Sequence, residues 1–295
     1  IMGTRLAVGL WSDDDAAGER AVEAVLGEMR RVDALMSHYK PESQLSQINQ
    51  RADREAVRVD PELAQLILRA ARLSELTGGA FDITYASVGY LYDYRAHTRP
   101  TDAEIAAGLG AVDWRHVIVD QEASTVRFSR TGVRIDLGGI AKGYAVDRAI
   151  AIVQDMGIVH ASVTAGGDSR IIGDRFGRPW IVGIRHPDDP DRVIARIPMV
   201  DASISTSGDY ERYFDEGGER YHHIIDPGTG RSAGELRSVT IIGPDATTTD
   251  GLSTSVFVLG PERGLELVEK LGDVDAVIVR RDGKVLYSSG LGEPP

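Results

Sequence analysis

Amphipathic helix patterns and short strand patterns interleave along this chain without a regular strand–helix–strand repeat. Apolar residues spaced by three and four positions predict helices at 16–37, from Asp60 to the Gly78 stop, from Thr101, and at 141–156, 248–258 and 262–271. Strand patterns are found at 116–120, 125–128, 133–137, 159–164, 180–184, 192–197, 222–225, 237–242, 275–280 and 284–288. This order favours an α+β fold with mixed, largely antiparallel sheets and packed helices.

Local capping and turn signals support several of these elements. Asp60 followed by Pro61 is typical of a helix start, and residues 101–104 form a capping-box sequence. Hairpin turns are predicted at 188–191 and at Asp282–Gly283. Because no repeat, low-complexity block or Gly/Ser linker divides the chain, we expect a single domain over 1–295.

Composition excludes several classes of function. The 33 basic and 45 acidic residues give a net charge of −12, which argues against nucleic-acid binding. The absence of cysteine excludes disulfides, thiolate zinc sites, iron–sulfur clusters and a cysteine nucleophile. No apolar run is long enough to span a membrane. We expect an extracytoplasmic, membrane-anchored protein if a signal has been trimmed, and otherwise a cytoplasmic one.

Residues 136–147 run from a predicted strand through a Gly-Gly turn into a helix that has Lys142 in its first turn. Glycines at 138 and 139 allow close approach of the backbone to a ligand, and a helix N-terminus with an ammonium group favours phosphate. The segment is not a Walker A loop, because G-x-x-x-x-G-K-[ST] is absent. The alternative is a tight strand–helix turn with a solvated lysine.

Residues 247–254 place a carboxylate and a hydroxyl on one helical face. Asp250 and Thr254 are four residues apart, so they are neighbours one turn apart. Hard oxygen ligands of this kind suit Mg²⁺, which takes the rest of its shell from water and substrate phosphates. The alternative is that Asp250 caps the helix and Thr254 bonds back to a carbonyl.

Residues 222–230 contain two adjacent histidines on a predicted strand, followed by an aspartate. A histidine here is a candidate base or phosphate contact, but an ordinary structural role is the alternative. Adjacent strand residues face opposite sides, so only one of His222 and His223 can enter a given site. Residues 165–168 and 205–210 fit turn chemistry, and the absence of G-x-S-x-G removes support for a serine hydrolase.

Taken in order, these segments resemble the ApbE family, the FAD:protein FMN transferases. The resemblance covers nearly the whole chain, in segments 2–4, 36–43, 48–49, 79–84, 136–147, 166–168, 207–210, 223–227 and 249–254. It implies two intertwined α+β halves that bind FAD and Mg²⁺ between them. It also implies transfer of FMN from FAD to a threonine hydroxyl of an acceptor flavoprotein, with a phosphoester product and release of AMP.

Carried onto matching positions, the resemblance assigns a site. Flavin and adenine contacts are implied for Met2, Tyr39, Ala80, Phe81 and Asp82. Diphosphate-region contacts are implied for Asp136, Lys142, His223 and Ile224. Mg²⁺ ligands are implied to be the Gly139 carbonyl, Asp250, Ser253 and Thr254.

Phosphoryl transfer requires positioning and charge neutralisation, which Lys142 and a cation at Asp250 would supply. We assign the base that activates the threonine hydroxyl to His223, with Asp226 as the alternative. Two other functions stay open: an Mg²⁺-dependent FAD pyrophosphatase that uses water as acceptor, and a module that binds FAD without cleaving it.

Overall fold

The computed structural model describes residues 1–292, in which eight α-helices and sixteen β-strands form the regular structure. The helices are α1 (Asp15–Met36), α2 (Gln44–Arg51), α3 (Pro61–Leu76), α4 (Ala86–Gly89), α5 (Asp102–Leu109), α6 (Ala141–Asp155), α7 (Ala246–Leu259) and α8 (Pro261–Leu271). Within this described range, no helix is both long enough and apolar enough to cross a membrane.

The strands are short and distributed over the whole described chain. They are β1 (Leu6–Leu10), β2 (Val57–Arg58), β3 (Val117–Asp120), β4 (Thr125–Phe128), β5 (Ala161–Ala165), β6 (Asp168–Ile172), β7 (Trp180–His186), β8 (Asp189–Met199), β9 (Ser203–Gly208), β10 (Tyr213–Glu216), β11 (Glu219–His222), β12 (Ile225–Asp226), β13 (Arg231–Ser232), β14 (Leu236–Gly243), β15 (Asp275–Arg280) and β16 (Val285–Tyr287).

One seven-stranded sheet draws strands from the beginning and the end of the chain. Its order is β1-β5-β6-β9-β14-β15-β16, and every neighbouring pair is antiparallel. A three-stranded sheet β2-β4-β3 and the pairs β7-β8, β10-β11 and β12-β13 are also antiparallel. The predicted α+β class with largely antiparallel sheets is therefore confirmed.

Helices α6 and α7 lie side by side on one face of this sheet. Helix α6 contacts β5 and β6, while α7 contacts β9 and β14. Apolar residues of the β7-β8 hairpin, such as Ile184 and Met199, pack with Ile171, Ile204 and Val277 in a separate core cluster. The central strands are buried between these layers, which fixes the position of the two helices that carry the candidate site.

The approach of α6 to α7 depends on a glycine. A Cβ atom added at Gly143 would lie 2.1 Å from the Ala246 carbonyl oxygen and 2.8 Å from the Asp250 Cβ. No side chain fits such a gap without moving a helix. The Gly143 backbone N–H donates to the Asp250 carboxylate at 3.0 Å, so the same contact brings the two chemical segments together.

Most elements with strong local signals are confirmed. Helix α3 begins at Pro61, and the Asp60 carboxylate caps it by accepting from the Glu62 N–H at 2.9 Å. The capping box at Thr101 and Glu104 has both of its hydrogen bonds. The predicted helices 16–37, 141–156, 248–258 and 262–271 match α1, α6, α7 and α8 to within two residues at each end.

The predicted strand 133–137 is wrong. This segment has no strand partner, because side chains satisfy its backbone instead. The Asn49 amide donates to the Ile135 carbonyl at 2.9 Å and accepts from the Ile135 N–H at 2.8 Å. The Ser87 hydroxyl accepts from the Arg134 N–H at 2.9 Å. Asn49, the only asparagine in the chain, therefore holds the segment that leads to Asp136.

Two other predictions need correction. The strand 222–225 is interrupted, because β11 ends at His222 and β12 begins at Ile225. The hairpin turn expected at 188–191 lies earlier, since β7 ends at His186 and β8 begins at Asp189. Residues 205–208, which fit turn chemistry in the sequence, belong to β9.

The contact at Gly143 predicts a large loss of stability on adding one methyl group. We expect Gly143→Ala to lower the free energy of unfolding by about 3 kcal/mol or more, because overpacking here meets backbone atoms. The matched control is Gly27→Ala in α1, where an added Cβ has no neighbour within 4 Å. That change should stabilise by about 0.5–1 kcal/mol through helix propensity. Urea denaturation measures both, and equal midpoints for the two variants would contradict the prediction.

Candidate active site at the junction of two helices

The first turn of α6 carries Lys142 into the interior. Its ammonium Nζ lies 3.0 Å from Oδ1 and 3.2 Å from Oδ2 of Asp250 on α7. It also donates to the Gly138 carbonyl at 3.2 Å, which joins the Gly-Gly turn to the helix start. Asp250 is 2% exposed, whereas the Lys142 side chain is partly exposed, so the carboxylate is the member of the pair that is shielded from water. The structure thus brings together two predicted site residues from segments 108 positions apart.

Asp168, the first residue of β6, is a third member of this cluster. Its Oδ2 lies 2.9 Å from the Lys142 Nζ, and the residue is 1% exposed. Burial opposes the charge on Lys142, but attraction to Asp168 and Asp250 raises the pKa of the ammonium above its ordinary value. Burial, followed by repulsion from Asp168, raises the pKa of the Asp250 carboxyl to about 7. One ammonium group therefore lies between two buried carboxyl groups.

The four predicted metal ligands lie close together at this junction. A Cβ atom added at Gly139 would lie 3.4 Å from the Thr254 Oγ1, and one at Gly251 would lie 3.9 Å from the Gly139 carbonyl oxygen. Thr254 follows Asp250 by one helical turn on the same face. The donor set contains carboxylate, hydroxyl and carbonyl oxygens, which suits a hard cation. Within residues 1–292, no group of three or more acidic or histidine side chains forms a metal cluster.

The two hydroxyl groups in this set have different environments. Ser253 is fully buried, donates to the Asp250 carbonyl at 2.9 Å and pairs with the Ser207 hydroxyl at 2.8 Å. Thr254 is only partly buried and has a longer contact of 3.3 Å to the same Ser207 hydroxyl. The Thr254 oxygen is therefore more available to a new ligand than the Ser253 oxygen.

His223 is partly buried and carries an uncharged imidazole. Its backbone N–H donates to the Arg212 carbonyl at 3.1 Å, while its Nδ1 is buried with no hydrogen-bond partner in the described part of the chain. Burial, and then the positive charges of Arg212 and Lys142 together with His222, lowers the pKa of His223 to about 3. The imidazole is therefore uncharged near neutral pH.

His222 faces the opposite side, as the alternation of strand residues predicts. Its Nε2 lies 2.7 Å from the Ala233 carbonyl oxygen, and its Nδ1 lies 3.3 Å from the Ile224 backbone nitrogen. The ring also packs edge-on against Phe257 with centroids 5.5 Å apart. Since one ring nitrogen must donate and the other accept, His222 is neutral and structural.

Tyr39, a predicted flavin-side contact, and Asp136, a predicted diphosphate contact, meet at one rim. His38 Nδ1 lies 2.6 Å from the Asp136 Oδ2, and the Tyr39 ring packs on the His38 ring with centroids 3.8 Å apart. Burial alone would raise the pKa of Asp136, but the hydrogen bond and charge of His38 hold it below its ordinary value. Arg212 joins the rim through a 3.2 Å hydrogen bond to the Tyr39 hydroxyl.

The N-terminal segment and residues 80–82 complete the surroundings. A Cβ atom at Gly3, next to Met2, would lie 3.5 Å from the Arg212 guanidinium, and one at Gly139 would lie 3.2 Å from the Phe81 ring. The Asp82 carboxylate is committed to the fold, since it accepts from the Thr84 N–H at 2.7 Å and the Trp114 N–H at 2.8 Å. These two hydrogen bonds hold the 80–82 segment in place beside the site.

Sequence reasoning assigned no role to Asp168, His38, Ser207 or Arg212. Each is in or near a segment that the sequence singled out, such as 36–43, 166–168 and 207–210. Their partners lie far away along the chain, and side-chain pairing at that distance has no local pattern. The glycine and hydroxyl content of these segments indicated that they belong to a site. It did not indicate which side chains contact one another.

Comparisons with known proteins agree with this geometry. Residues 2–278 match the family model described as "ApbE family". The FAD:protein FMN transferase of Klebsiella pneumoniae is 32% identical over 293 residues, which cover 98% of this chain and 90% of that protein. The crystal structure of the ApbE protein from Thermotoga maritima is 38% identical with a TM-score of 0.91, covering 98% of this chain and 95% of that one.

A second solved structure gives the same picture. The flavin transferase ApbE from Vibrio cholerae is 32% identical to this chain with a TM-score of 0.83, over 97% of this chain and 94% of that one. The similarity therefore extends over the whole site and does not depend on a single motif.

The environment of His222 predicts acid-sensitive stability. Burial lowers the pKa of His222 from 6.5 to about 4 in the folded chain. As pH falls through 6.5, the unfolded chain takes up a proton that folded His222 cannot, so stability falls with pH. The loss from this residue between pH 7.5 and 5.5 should be about 1.4 kcal/mol. Urea titrations of the wild type and His222→Gln measure it. The variant should have the shallower pH dependence, and parallel curves would contradict the prediction.

Proposed function

The chain belongs to the ApbE family, and we propose that it transfers FMN from FAD to a threonine hydroxyl of an acceptor flavoprotein and releases AMP. The names of its relatives support flavin transfer. One observation about the site carries the proposal. The Lys142 ammonium, in the first turn of α6, lies 3.0 Å from the Asp250 carboxylate, and the helix face that carries Asp250 also presents Thr254. An ammonium group beside oxygen ligands that suit a hard cation is what charge neutralisation in phosphoryl transfer requires.

The proposed FAD site uses the rim and the helix junction together. The flavin and adenine would contact the Met2 segment, Tyr39 and residues 80–82, where Phe81 is next to Gly139. The diphosphate would lie near Asp136, Lys142, His223 and Ile224. An ammonium group at a helix N-terminus provides a favourable potential for this anion.

The residues present fit a magnesium ion. Asp250, Thr254, Ser253 and the Gly139 carbonyl would hold it, with Thr254 the more available of the two hydroxyls. When bound, Mg²⁺ would neutralise charge on the diphosphate and on the leaving phosphate. Because the set contains a single carboxylate, the ion would take its remaining ligands from water and from the substrate phosphates.

The chain's own residues would carry the proton and position the charges. His223 would accept the proton of the threonine hydroxyl while that oxygen attacks the phosphorus of the FMN half. The bond from this phosphorus to the bridging oxygen breaks, and AMP leaves with that oxygen. Lys142 would stabilise the negative charge that develops on the transferred group.

The proposed reaction predicts metal-dependent cleavage of FAD. FAD incubated with the protein and a threonine-bearing acceptor domain should yield AMP and an acceptor heavier by the mass of FMN, with Mg²⁺ but not with chelator. Asp250→Ala should abolish both products, because the carboxylate ligand is lost. Chromatography and intact-protein mass spectrometry measure them. FMN with AMP but no adduct would indicate a pyrophosphatase, and intact bound FAD would indicate a carrier.

If His223 is the base, its replacement should slow transfer without weakening the binding of FAD. His223→Ala should slow transfer by about 100- to 10,000-fold, a typical loss for a general base. The affinity for FAD should change by only a few fold. His222→Gln is the matched control, because His222 faces the core and its replacement should leave the transfer rate of folded protein close to that of the wild type. Full transfer activity in His223→Ala would reject this role.

A further inference from the structure

We propose that Asp168 is a positioning residue, which holds the Lys142 ammonium and so leaves Asp250 available to a cation. This inference rests on the proposed function, because the cation is the magnesium ion of the proposed transfer. It assigns a role to a buried carboxylate that the proposed reaction does not otherwise use.

The position of Asp168 is fixed by the backbone of the sheet. It begins β6 directly after the Gly166–Gly167 turn and pairs with Ser205 of β9. A Cβ atom added at Gly167 would lie 2.7 Å from the Thr206 carbonyl oxygen, so the turn is pressed against β9. The side chain of Asp168 therefore has little freedom to leave the cluster.

Lys142 is the group that Asp168 contacts. The Asp168 Oδ2 lies 2.9 Å from Nζ, which is an ion-pair contact, and it has no hydrogen-bond partner among residues 1–292. Asp250, by contrast, also accepts from the Gly143 N–H at 3.0 Å. A buried carboxylate without a counter-ion costs several kcal/mol. Lys142 is thus the charged partner of Asp168, whereas Asp250 has both Lys142 and the Gly143 N–H as partners.

The two carboxylates differ in what they can offer to a cation. Asp250 is on the helix face that also presents Thr254, and Thr254 in turn lies beside Gly139. A cation bound there weakens the attraction between Asp250 and Lys142, because like charges then share one carboxylate. Asp168 keeps a second partner for the ammonium. Without the charge of Asp168, Asp250 becomes the only carboxylate paired with Lys142, and the ammonium competes with the cation for it.

A double-mutant cycle tests this role without turnover. Binding of Mg²⁺, or of Mn²⁺ as a spectroscopic substitute, is measured by calorimetry on FAD-free wild type, Asp168→Asn, Lys142→Gln and the double variant. We expect Asp168→Asn to weaken cation binding at least tenfold when Lys142 is present, and less than threefold when Lys142 is replaced by glutamine. The difference between the two backgrounds is the coupling through Lys142.

The outcomes separate the inference from the proposed function. Equal weakening in both backgrounds would mean that Asp168 acts on the cation by its own charge, and would overturn the positioning role. Unchanged binding in Asp168→Asn would overturn it as well. Absence of binding to the wild type, with no difference from Asp250→Ala, would instead reject the cation site of the proposed function.

A second measurement does not depend on an Asp168 variant. The chain has four lysines, Lys40, Lys142, Lys270 and Lys284, so ¹⁵N-lysine labelling gives few ammonium signals. The signal of Lys142, assigned by its absence in Lys142→Gln, should persist with slow hydrogen exchange after the cation is added, because Asp168 retains the ammonium. Loss of that protected signal on adding Mg²⁺ would overturn the proposal, even if Asp168→Asn does not fold.

Discussion

The candidate site depends on one partly buried ammonium group and on the two helices and the strand that surround it. Asp168 and Asp250 would not be tolerated side by side in this interior without Lys142, because burial of an uncompensated charge is costly. The three side chains meet only because α6 approaches α7 at Gly143 and because β6 begins beside both helices. Packing and charge therefore impose the same geometry, and the cluster fixes the positions of Thr254 and the Gly-Gly turn around it.

Elements with local signals could be predicted from the sequence, and those that depend on distant partners could not. Helix α3 has an aspartate cap, a proline at its first position and a regular apolar stripe. Segment 133–137 has the apolar character of a strand, but its hydrogen bonds go to the side chains of Asn49 and Ser87. The sequence of strand β9 resembles that of a turn because it is rich in serine and threonine. In the fold these side chains face other hydroxyls, such as that of Thr249, instead of an apolar layer.

The same distinction applies to the site. Lys142, Asp250 and His223 were selected for their residue type and spacing, and the structure places them in one region. Asp82 shows the limit of this reasoning, since a carboxylate beside a site can be committed to backbone N–H groups. Asp168 shows the opposite limit. After a Gly-Gly pair it fits a hairpin turn, and only the folded sheet reveals that it faces an ammonium group 26 residues earlier in the chain.

The position of Lys142 also means that the chain does not need a metal ion in order to fold. In small zinc domains the metal is the counter-charge that allows the ligands to be buried, so the chain is unfolded without it. Here an ammonium group already lies between the two carboxyl groups, and the chain carries its own counter-ion. Under this arrangement, a cell short of magnesium would still accumulate the folded protein. Under the proposed magnesium-dependent transfer, scarcity of the metal would lower the output of each molecule without unfolding it.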